Sequence, residues 1–242
     1  MAQETEDTAR AMAGITNSEG AGAAWGRGTT ALVTSHGFAG SYSSTSFSLS
    51  CSVVAGTGEN MERDYASHSA RHFEDLDTPE TIGTRTGERT LARLNPRKLE
   101  SMKMPVVYDT RVSASLLGHL SAAISGSAIA RGTSFLRDAM GTQVMSAGLN
   151  VIDEPHRPRG LRSAAFDGEG LSPETINLVQ DGVLQSWLLD ITTARQLDME
   201  SNARAARGVG GPPSPSATNL YLAAGTQDVA GILGDVGEGF FV

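Results

Sequence analysis

The chain has 242 residues, enough for one large domain or for two of ordinary size. Its 39% hydrophobic and 19% charged residues are typical of a folded globular protein and exclude a disordered or fibrous chain. The formal net charge of -8 argues against a nucleic-acid-binding surface, because a phosphate backbone has to be neutralised by Lys and Arg.

Cysteine content and hydropathy indicate the cellular compartment in which the protein is expected. Cys51 is the only cysteine, so the chain has no intrachain disulfide and we expect a reducing environment. The alternating pattern around Cys51 predicts a small buried side chain. Residues 1–14 are acidic without an apolar core, and no stretch approaches the roughly 18 apolar residues of a membrane span. We therefore expect a cytoplasmic protein without membrane contact.

The first predicted elements are a helix and a β-hairpin. Residues 3–13 have amphipathic helical spacing, and Gly14 stands where a left-handed cap ends such a helix. Residues 31–34 and 38–55 carry alternating apolar and polar side chains on either side of a turn at 35–37. This pattern predicts a long hairpin with one buried face and one wetter face that is rich in serine.

A second helix and a domain boundary follow. Thr78 precedes Pro79 in the arrangement typical of a helix start, and Asn95-Pro96 stops the helical pattern. The connector 97–100 then leads into the apolar strand 104–108. We predict two domains, each with a twisted antiparallel or mixed sheet. They are a middle α+β domain at 1–100 and a C-terminal α+β domain at 101–242 that is incomplete.

The C-terminal domain is expected to combine a buried helix with a sheet. Residues 112–129 are rich in Ala, Leu, Ile and Ser, which predicts a buried helix packed closely on a sheet. Asp181-Gly182 between two apolar runs is a strong hairpin signal. Residues 219–222 predict a strand and residues 208–215 a mobile loop. The apolar end, 239–242, has no expected partner strand, which is why we predict an incomplete domain.

Two histidines stand at metal-ligand spacing. His68 and His72 would share one face of a helix, as in a zinc site of the His-Glu-x-x-His kind. Ser69 occupies the position of the general base and cannot take a proton from zinc-bound water at neutral pH. We therefore expect exposed or structural histidines at these positions.

Two acidic motifs are candidates for binding sites. Glu62, Arg63 and Asp64 follow a glycine turn, and the guanidinium offers a bidentate fork for a peptide carboxylate. A solvated or internally paired cluster that fixes a loop is the simpler interpretation. Asp167 and Glu169 lie between glycines, a pattern that suits a cation or an Asx-type turn. The lack of further ligands at calcium-loop spacing favours the turn.

Common nucleotide and serine-hydrolase signatures are absent. Gly56-Thr57-Gly58 lacks the third glycine of a dinucleotide fingerprint, and the chain has no Gly-Lys-Ser/Thr run and no Gly-x-Ser-x-Gly elbow. Basic residues gather at Arg157, Arg159 and Arg162, where interleaved proline and glycine favour a solvated loop over an anion site.

Seven segments distributed along the chain form a combined signature. They are ITNSEG (15–20), TSHGF (34–38), GENMERDY (58–65), ARLNP (92–96), LGHL (117–120), FDGEG (166–170) and VQDGVL (179–184). In order and spacing they resemble the PmbA/TldE branch of the TldD/PmbA (modulator of DNA gyrase) metalloprotease family. The resemblance covers nearly the whole chain and implies a fragment without the family's N-terminal domain and extreme C-terminus.

The resemblance also implies that the zinc motif is degenerate in this chain. In the zinc-bearing TldD branch a helix carries His-Glu-x-x-x-His. Here Gly118 and Ala123 fall where the histidines stand, and His119 replaces the glutamate. The resemblance therefore implies no catalytic residue and no metal in this chain, with zinc in a partner subunit. His119, on an otherwise apolar helix, is then expected to be a satisfied core residue.

The family resemblance implies a heterodimeric cytosolic peptidase that acts on peptides or unfolded proteins, including microcin precursors and an antitoxin. A TldD-like sister subunit would hydrolyse the substrate. This chain would help to enclose it and to bind it along a sheet edge. Two alternatives stay open: a β-rich binding or scaffold protein, or homodimer, without a protease partner, and a hydrolase that uses His68, His72 and nearby carboxylates.

Overall fold

A computed structural model describes every residue from Met1 to Val242. Mixed helices and largely antiparallel sheets confirm the predicted α+β class. The helices are α1 (Ala2–Arg10), α2 (Pro79–Ala92), α3 (Thr110–Ala123), α4 (Gly126–Ala130), α5 (Ile191–Gln196) and α6 (Val229–Val236). The strands are β1 (Ile15–Val33), β2 (Ala39–Ala55), β3 (Glu62–Ala70), β4 (Val106–Val107), β5 (Val151–Asp153), β6 (Ile176–Gln180), β7 (Val183–Leu184), β8 (Ala205–Ala206), β9 (Ser214–Pro215), β10 (Leu220–Leu222) and β11 (Phe240–Phe241).

The chain forms two compact units. The first consists of Met1–Thr30 and Ser43–Ser101, and the second of Ala31–Tyr42 and Met102–Val242. The second unit thus begins close to the charged connector and also takes in the tip of the β1–β2 hairpin. None of the helices is long and apolar enough to cross a bilayer.

The first unit is a three-stranded sheet, in the order β1-β2-β3, that packs with α1 and α2. The alternating side chains of β2 turn Leu49, Cys51 and Val53 into the core, where they meet Ile82 of α2. The burial of Cys51 was predicted from this alternation and is confirmed. A close approach joins the helices, because a Cβ on Gly83 would lie 2.6 Å from the Thr5 carbonyl oxygen.

Local signals placed several boundaries in the first hundred residues correctly. The Thr78 hydroxyl accepts the Thr81 backbone N–H at 3.2 Å, which is the predicted helix cap. The turn at 35–37 is confirmed as well, with Gly37 at φ 89. The first helix ends at Arg10, before the predicted end at 13, and β1 begins at Ile15, well before the predicted strand at 31. The small residues of 20–30 conceal this strand from a pattern that relies on large apolar side chains.

The second unit contains a four-stranded antiparallel sheet in the order β10-β5-β6-β7. Its core joins Val151, Leu178 and Leu184 of the sheet to Ile124 and Leu188. The predicted hairpin at 181–182 is confirmed. Asp181 and Gly182 have φ values of 49 and 77, the positive pair that a tight turn between twisted strands requires.

The predicted buried helix at 112–129 is wrong in two respects. The segment divides into α3 and α4, with Ser125 between them in an extended conformation. No residue of α3 is fully buried; Leu117 and Leu120 pack partly on the core, whereas Leu116 is 46% exposed. Apolar composition therefore misled the prediction, because only one face of the helix meets the sheet.

The C-terminal tail also differs from expectation. Phe240 and Phe241 form β11, which pairs in parallel with Val106 and Val107 of β4, so the tail does have a partner strand. The predicted loop at 208–215 lies largely between β8 and β9, which pair with each other at Ala205–Ala206 and Ser214–Pro215.

Candidate functional site

The charged triplet at the start of β3 forms ion pairs with residues of two neighbouring elements. Arg63 Nη1 lies 2.9 Å from Glu19 Oε1, and Arg93 lies 3.5 Å from the Glu62 carboxylate and 3.8 Å from that of Asp64. All of these residues except Asp64 line part of a surface depression of about 610 Å³. These ion pairs join the start of β3 to β1 and to the end of α2.

Sequence reasoning missed two members of this cluster, Arg93 and Glu19. The Glu19 carboxylate accepts the Ser52 hydroxyl at 2.6 Å and Arg63 Nη1 at 2.9 Å. The hydrogen bond from Ser52, followed by that from Arg63, lowers the pKa of Glu19. The segment 15–20 that contains Glu19 carries no pairing signal, since Arg63 is distant in sequence.

His68 and His72 do not lie on a helix. His68 is in β3 opposite Leu49, and its Nδ1 accepts the Asp77 backbone N–H at 3.0 Å. His72 follows the strand, with Nδ1 3.6 Å from a Glu74 carboxylate oxygen. The helical spacing that suggested a zinc pair therefore does not apply, and nowhere in the chain do three His, Cys, Asp or Glu side chains form a group that could hold a metal ion.

Asp167 forms the Asx-type turn that its sequence favours. Its Oδ1 accepts the backbone N–H groups of Glu169 and Leu171, both at 2.9 Å, and its Oδ2 accepts the Ala205 N–H at 3.2 Å. A buried carboxylate with three donors has its acceptor capacity directed inward. Asp167 therefore ties the loop 166–170 to the start of β8.

The Glu169 side chain contacts α5, whereas Asp167 contacts β8. Glu169 Oε2 accepts the Ile191 N–H at 2.8 Å. Burial raises the pKa of Glu169, and the neighbouring carboxylates of Asp190 and Asp167 act in the same direction. The structure thus brings Asp167 and Glu169 into one polar loop, whose hydrogen bonds serve the fold.

An aromatic cluster and a buried ion pair flank this loop, and sequence reasoning identified neither. Phe166 makes edge-to-face contacts with Phe38 at 4.9 Å and Tyr42 at 5.2 Å between ring centroids, all within the second unit. Arg204 and Asp153 form a fully buried pair. The alternation around Phe38 and Tyr42 indicated a strand but not the contact of that strand with Phe166. The two residues of the ion pair are 51 positions apart, so no local pattern reports them.

Gly118, His119 and Ala123 lie along α3. His119 is exposed, so the expectation of a satisfied core histidine is wrong; it borders an apolar cavity of about 420 Å³. The cavity is lined by Leu120, Ala123, Leu136 and Met145 together with neighbouring side chains. A catalytic zinc needs three protein ligands, and these positions offer one imidazole and no carboxylate. The residues present therefore do not fit a zinc ion.

Family models match almost the entire chain. Residues 1–94 match the PmbA/TldA metallopeptidase central domain, and residues 101–242 match the PmbA/TldA metallopeptidase C-terminal domain.

Curated relatives agree with the family models. Metalloprotease PmbA of Escherichia coli O157:H7 is 41% identical over 191 residues, which make up 79% of this chain and 42% of the relative. The Metalloprotease PmbA homolog of Haemophilus influenzae is 36% identical over 191 residues, with the same 79% and 42% coverage. The chain thus spans less than half the length of these relatives.

Solved structures share the fold. A proposed modulator of a DNA gyrase from Thermotoga maritima superposes with a TM-score of 0.90 at 23% identity, over 99% of this chain and 54% of that one. TldE from Thermococcus kodakarensis superposes with a TM-score of 0.86 at 19% identity, over 99% and 54%. With both of its parts matched by family models and curated relatives at up to 41% identity, the chain belongs to the PmbA/TldD metallopeptidase family.

Proposed function

We propose that this chain belongs to the non-catalytic subunit of a heterodimeric cytosolic zinc peptidase. The subunit binds and helps to enclose a peptide or unfolded-protein substrate, and a TldD-like sister subunit supplies the zinc ion and the hydrolysis. The observation that carries this proposal is the side-chain set on α3, where Gly118, His119 and Ala123 offer a single imidazole. Hydrolysis at zinc needs three protein ligands and a carboxylate that takes a proton from the bound water.

The other histidines support the same assignment. His68 uses Nδ1 to accept the Asp77 N–H, and His72 lies beyond the end of β3. Neither histidine belongs to a group of three metal-binding side chains. A hydrolase built on His68 and His72, the less favoured alternative from the sequence, therefore has no supporting geometry.

The edge of the first unit's sheet supports a role in substrate binding. The order β1-β2-β3 places β1 at an edge, and residues 15–30 of this long strand lie within the first unit. An edge strand presents backbone N–H and C=O groups to which an extended peptide can add as a further strand. Trp25, 76% exposed on β1, offers an apolar surface beside that edge. Backbone pairing suits a subunit whose substrates differ in sequence.

Metal analysis of the full-length protein is the first test. Purified alone, the protein should contain far less than one zinc ion per chain, and zinc should approach one per heterodimer after mixing with the sister subunit. A pull-down from cell extract should recover a protein that carries His-Glu-x-x-x-His. Failure to recover such a protein would favour the scaffold alternative.

A peptidase assay is the second test and has three arms. An unstructured peptide should remain intact with this protein alone and be cleaved when the sister is added. Cleavage should be lost when the sister's zinc-motif glutamate is replaced by glutamine, a change that keeps the side-chain size. Cleavage by this protein alone, together with a tightly bound transition metal, would refute the proposal.

A further inference from the structure

A basic loop lies outside the polar and aromatic features described above. It comprises residues 155–162 and contains three arginines and one histidine but no acidic residue, in a chain with a net charge of -8. His156, Arg157, Arg159 and Arg162 are exposed. The loop therefore concentrates positive charge on the surface of an acidic protein.

Asn219 holds the basic loop in place. Its Oδ1 accepts the Arg162 backbone N–H at 2.9 Å, and its Nδ2 donates to the Glu154 carbonyl at 2.8 Å and to the Ser163 hydroxyl at 2.9 Å. The loop packs closely on this amide, since a Cβ on Gly160 would lie 2.7 Å from Asn219 Oδ1. A loop that three side-chain hydrogen bonds already fix loses little conformational entropy when it binds a ligand.

The base of the loop is closed by the backbone. Ala164 N–H donates to the Pro155 carbonyl at 3.1 Å, and the Ser163 hydroxyl donates to the Arg157 carbonyl at 2.6 Å. These bonds distinguish the basic loop from the freely solvated segment that its proline and glycine content predicted.

Two of the guanidinium groups are oriented by neighbours that leave most of their donors available. Arg157 lies over the Tyr221 ring at 4.6 Å from its centroid, and the Tyr221 hydroxyl donates to the Glu154 carboxylate at 3.3 Å. Arg162 donates through Nη2 to the Ser216 hydroxyl at 3.1 Å. Stacking on a ring uses the face of a guanidinium and leaves its in-plane N–H groups free to bind carboxylate oxygens in pairs.

We propose that the basic loop binds the carboxylate side chains of an acidic peptide segment through Arg157 and Arg162. The inference rests on the proposed function because it takes the ligand to be a peptide. It extends that function by naming acidic peptides as the substrate class. A nucleic acid is a poorer match than a short acidic segment, because its continuous phosphate backbone would extend past the loop over a chain with 27 acidic and only 19 basic residues.

Direct binding tests the inference with the full-length protein. Fluorescence anisotropy would compare a labelled unstructured peptide carrying a cluster of Asp and Glu with the same peptide carrying Asn and Gln. The acidic peptide should bind more tightly, and its affinity should fall as salt is raised. The double variant Arg157→Gln, Arg162→Gln should weaken its binding by about tenfold, since two charge-assisted contacts are lost.

A matched double variant controls for net charge. Arg97 and Arg131 are exposed arginines outside the basic loop, and Arg97→Gln, Arg131→Gln removes the same charge. This control should bind the acidic peptide within about twofold of the unsubstituted protein. Equal weakening in the two double variants, equal binding of the two peptides, or tighter binding of a single-stranded DNA of the same charge would overturn the inference.

Binding and hydrolysis separate this inference from the proposed function. If the acidic peptide binds as expected but addition of the sister yields no cleavage, the proposed function fails and the inference stands. If the mixture cleaves peptides while the Arg157 and Arg162 variant binds like the unsubstituted protein, the inference alone fails.

Discussion

Arg204 donates its Nε–H to the Asp153 carboxylate at 2.5 Å, and both side chains are completely shielded from solvent. The guanidinium also donates to the carbonyls of Asn202 at 2.7 Å and Glu174 at 2.5 Å. Asp153 uses its other oxygen to accept the Thr218 N–H at 2.7 Å. Burial lowers the pKa of Arg204, and the charge of Asp153 opposes this shift. The pair thus connects Asp153 at the end of β5 with the segments around Glu174, Asn202 and Thr218.

Replacement of Arg204 alone should be severely destabilising. Arg204→Met leaves the Asp153 carboxylate buried without its counter-charge, and we expect the free energy of unfolding to fall by about 3–5 kcal/mol. The double variant Arg204→Met, Asp153→Leu should recover much of this loss, because neither charge remains. Urea unfolding of the four proteins in the cycle measures the coupling, and a double variant as unstable as the sum of the single variants would contradict it.

Gly170 is predicted to be intolerant of a side chain for two reasons. Its φ is 87, and a Cβ would lie 2.6 Å from Phe38 Cδ1. Gly148 provides the matched control, with φ 84 and no atom within 4 Å of a Cβ. Alanine at either position should lower the free energy of unfolding by about 1 kcal/mol through backbone strain.

Only Gly170→Ala should then lose a further ~1–3 kcal/mol, because the new methyl group overlaps the Phe38 ring. Urea unfolding measures the difference between the two variants. In a Phe38→Ala background the additional loss should disappear, and an equal loss for both glycines would show that the ring contact is unimportant.

Local chemistry explains which parts of the fold were predictable. The Thr78 cap, the Asp181-Gly182 turn and the burial of Cys51 each depend on a few adjacent residues, and the structure confirms all three. Residues 15–30 of β1 were missed, because the glycine and alanine side chains among them give no period of large apolar residues. In α3 the composition was apolar, yet the exposure of Leu116 depends on which face meets the sheet.

The candidate sites show the same limit. The Asx-type turn of Asp167 forms within four residues and was readable from the sequence. The pairs of Arg63 with Glu19 and of Arg204 with Asp153 join residues 44 and 51 positions apart, so no local pattern reports them. His119 was expected in the core because its neighbours are apolar, but its position on the helix leaves it exposed.

The stability of the protein should depend on pH through Glu169. Burial raises the pKa of Glu169 above its ordinary value of 4.5, so the folded state binds this proton more tightly than the unfolded chain. The stabilising contribution of the protonated carboxyl is fully present below the ordinary pKa and is lost as the pH rises through the raised pKa. Glu169→Gln, which keeps an oxygen to accept the Ile191 N–H, should therefore become relatively more stable than the unsubstituted protein as the pH increases.

Urea unfolding at several pH values between about 4 and 7 checks this expectation, since the pH dependence of stability reports the difference in bound protons. Glu200→Gln removes an exposed carboxylate and serves as the control. A stability difference between Glu169→Gln and the unsubstituted protein that does not change with pH would contradict the assignment.

Cys51 should be chemically inert in the folded protein. Its side chain is 2% exposed in the core of the first unit, and burial raises the pKa of the thiol. Both effects slow disulfide exchange, because the thiolate is the nucleophile and the reagent has to reach it. We expect a thiol-specific disulfide reagent to modify Cys51 at least ~100-fold more slowly in the native protein than in urea. Mass spectrometry of the Cys51 peptide measures both rates, with Cys51→Ala as the blank, and native modification as fast as that in urea would show that this core opens readily.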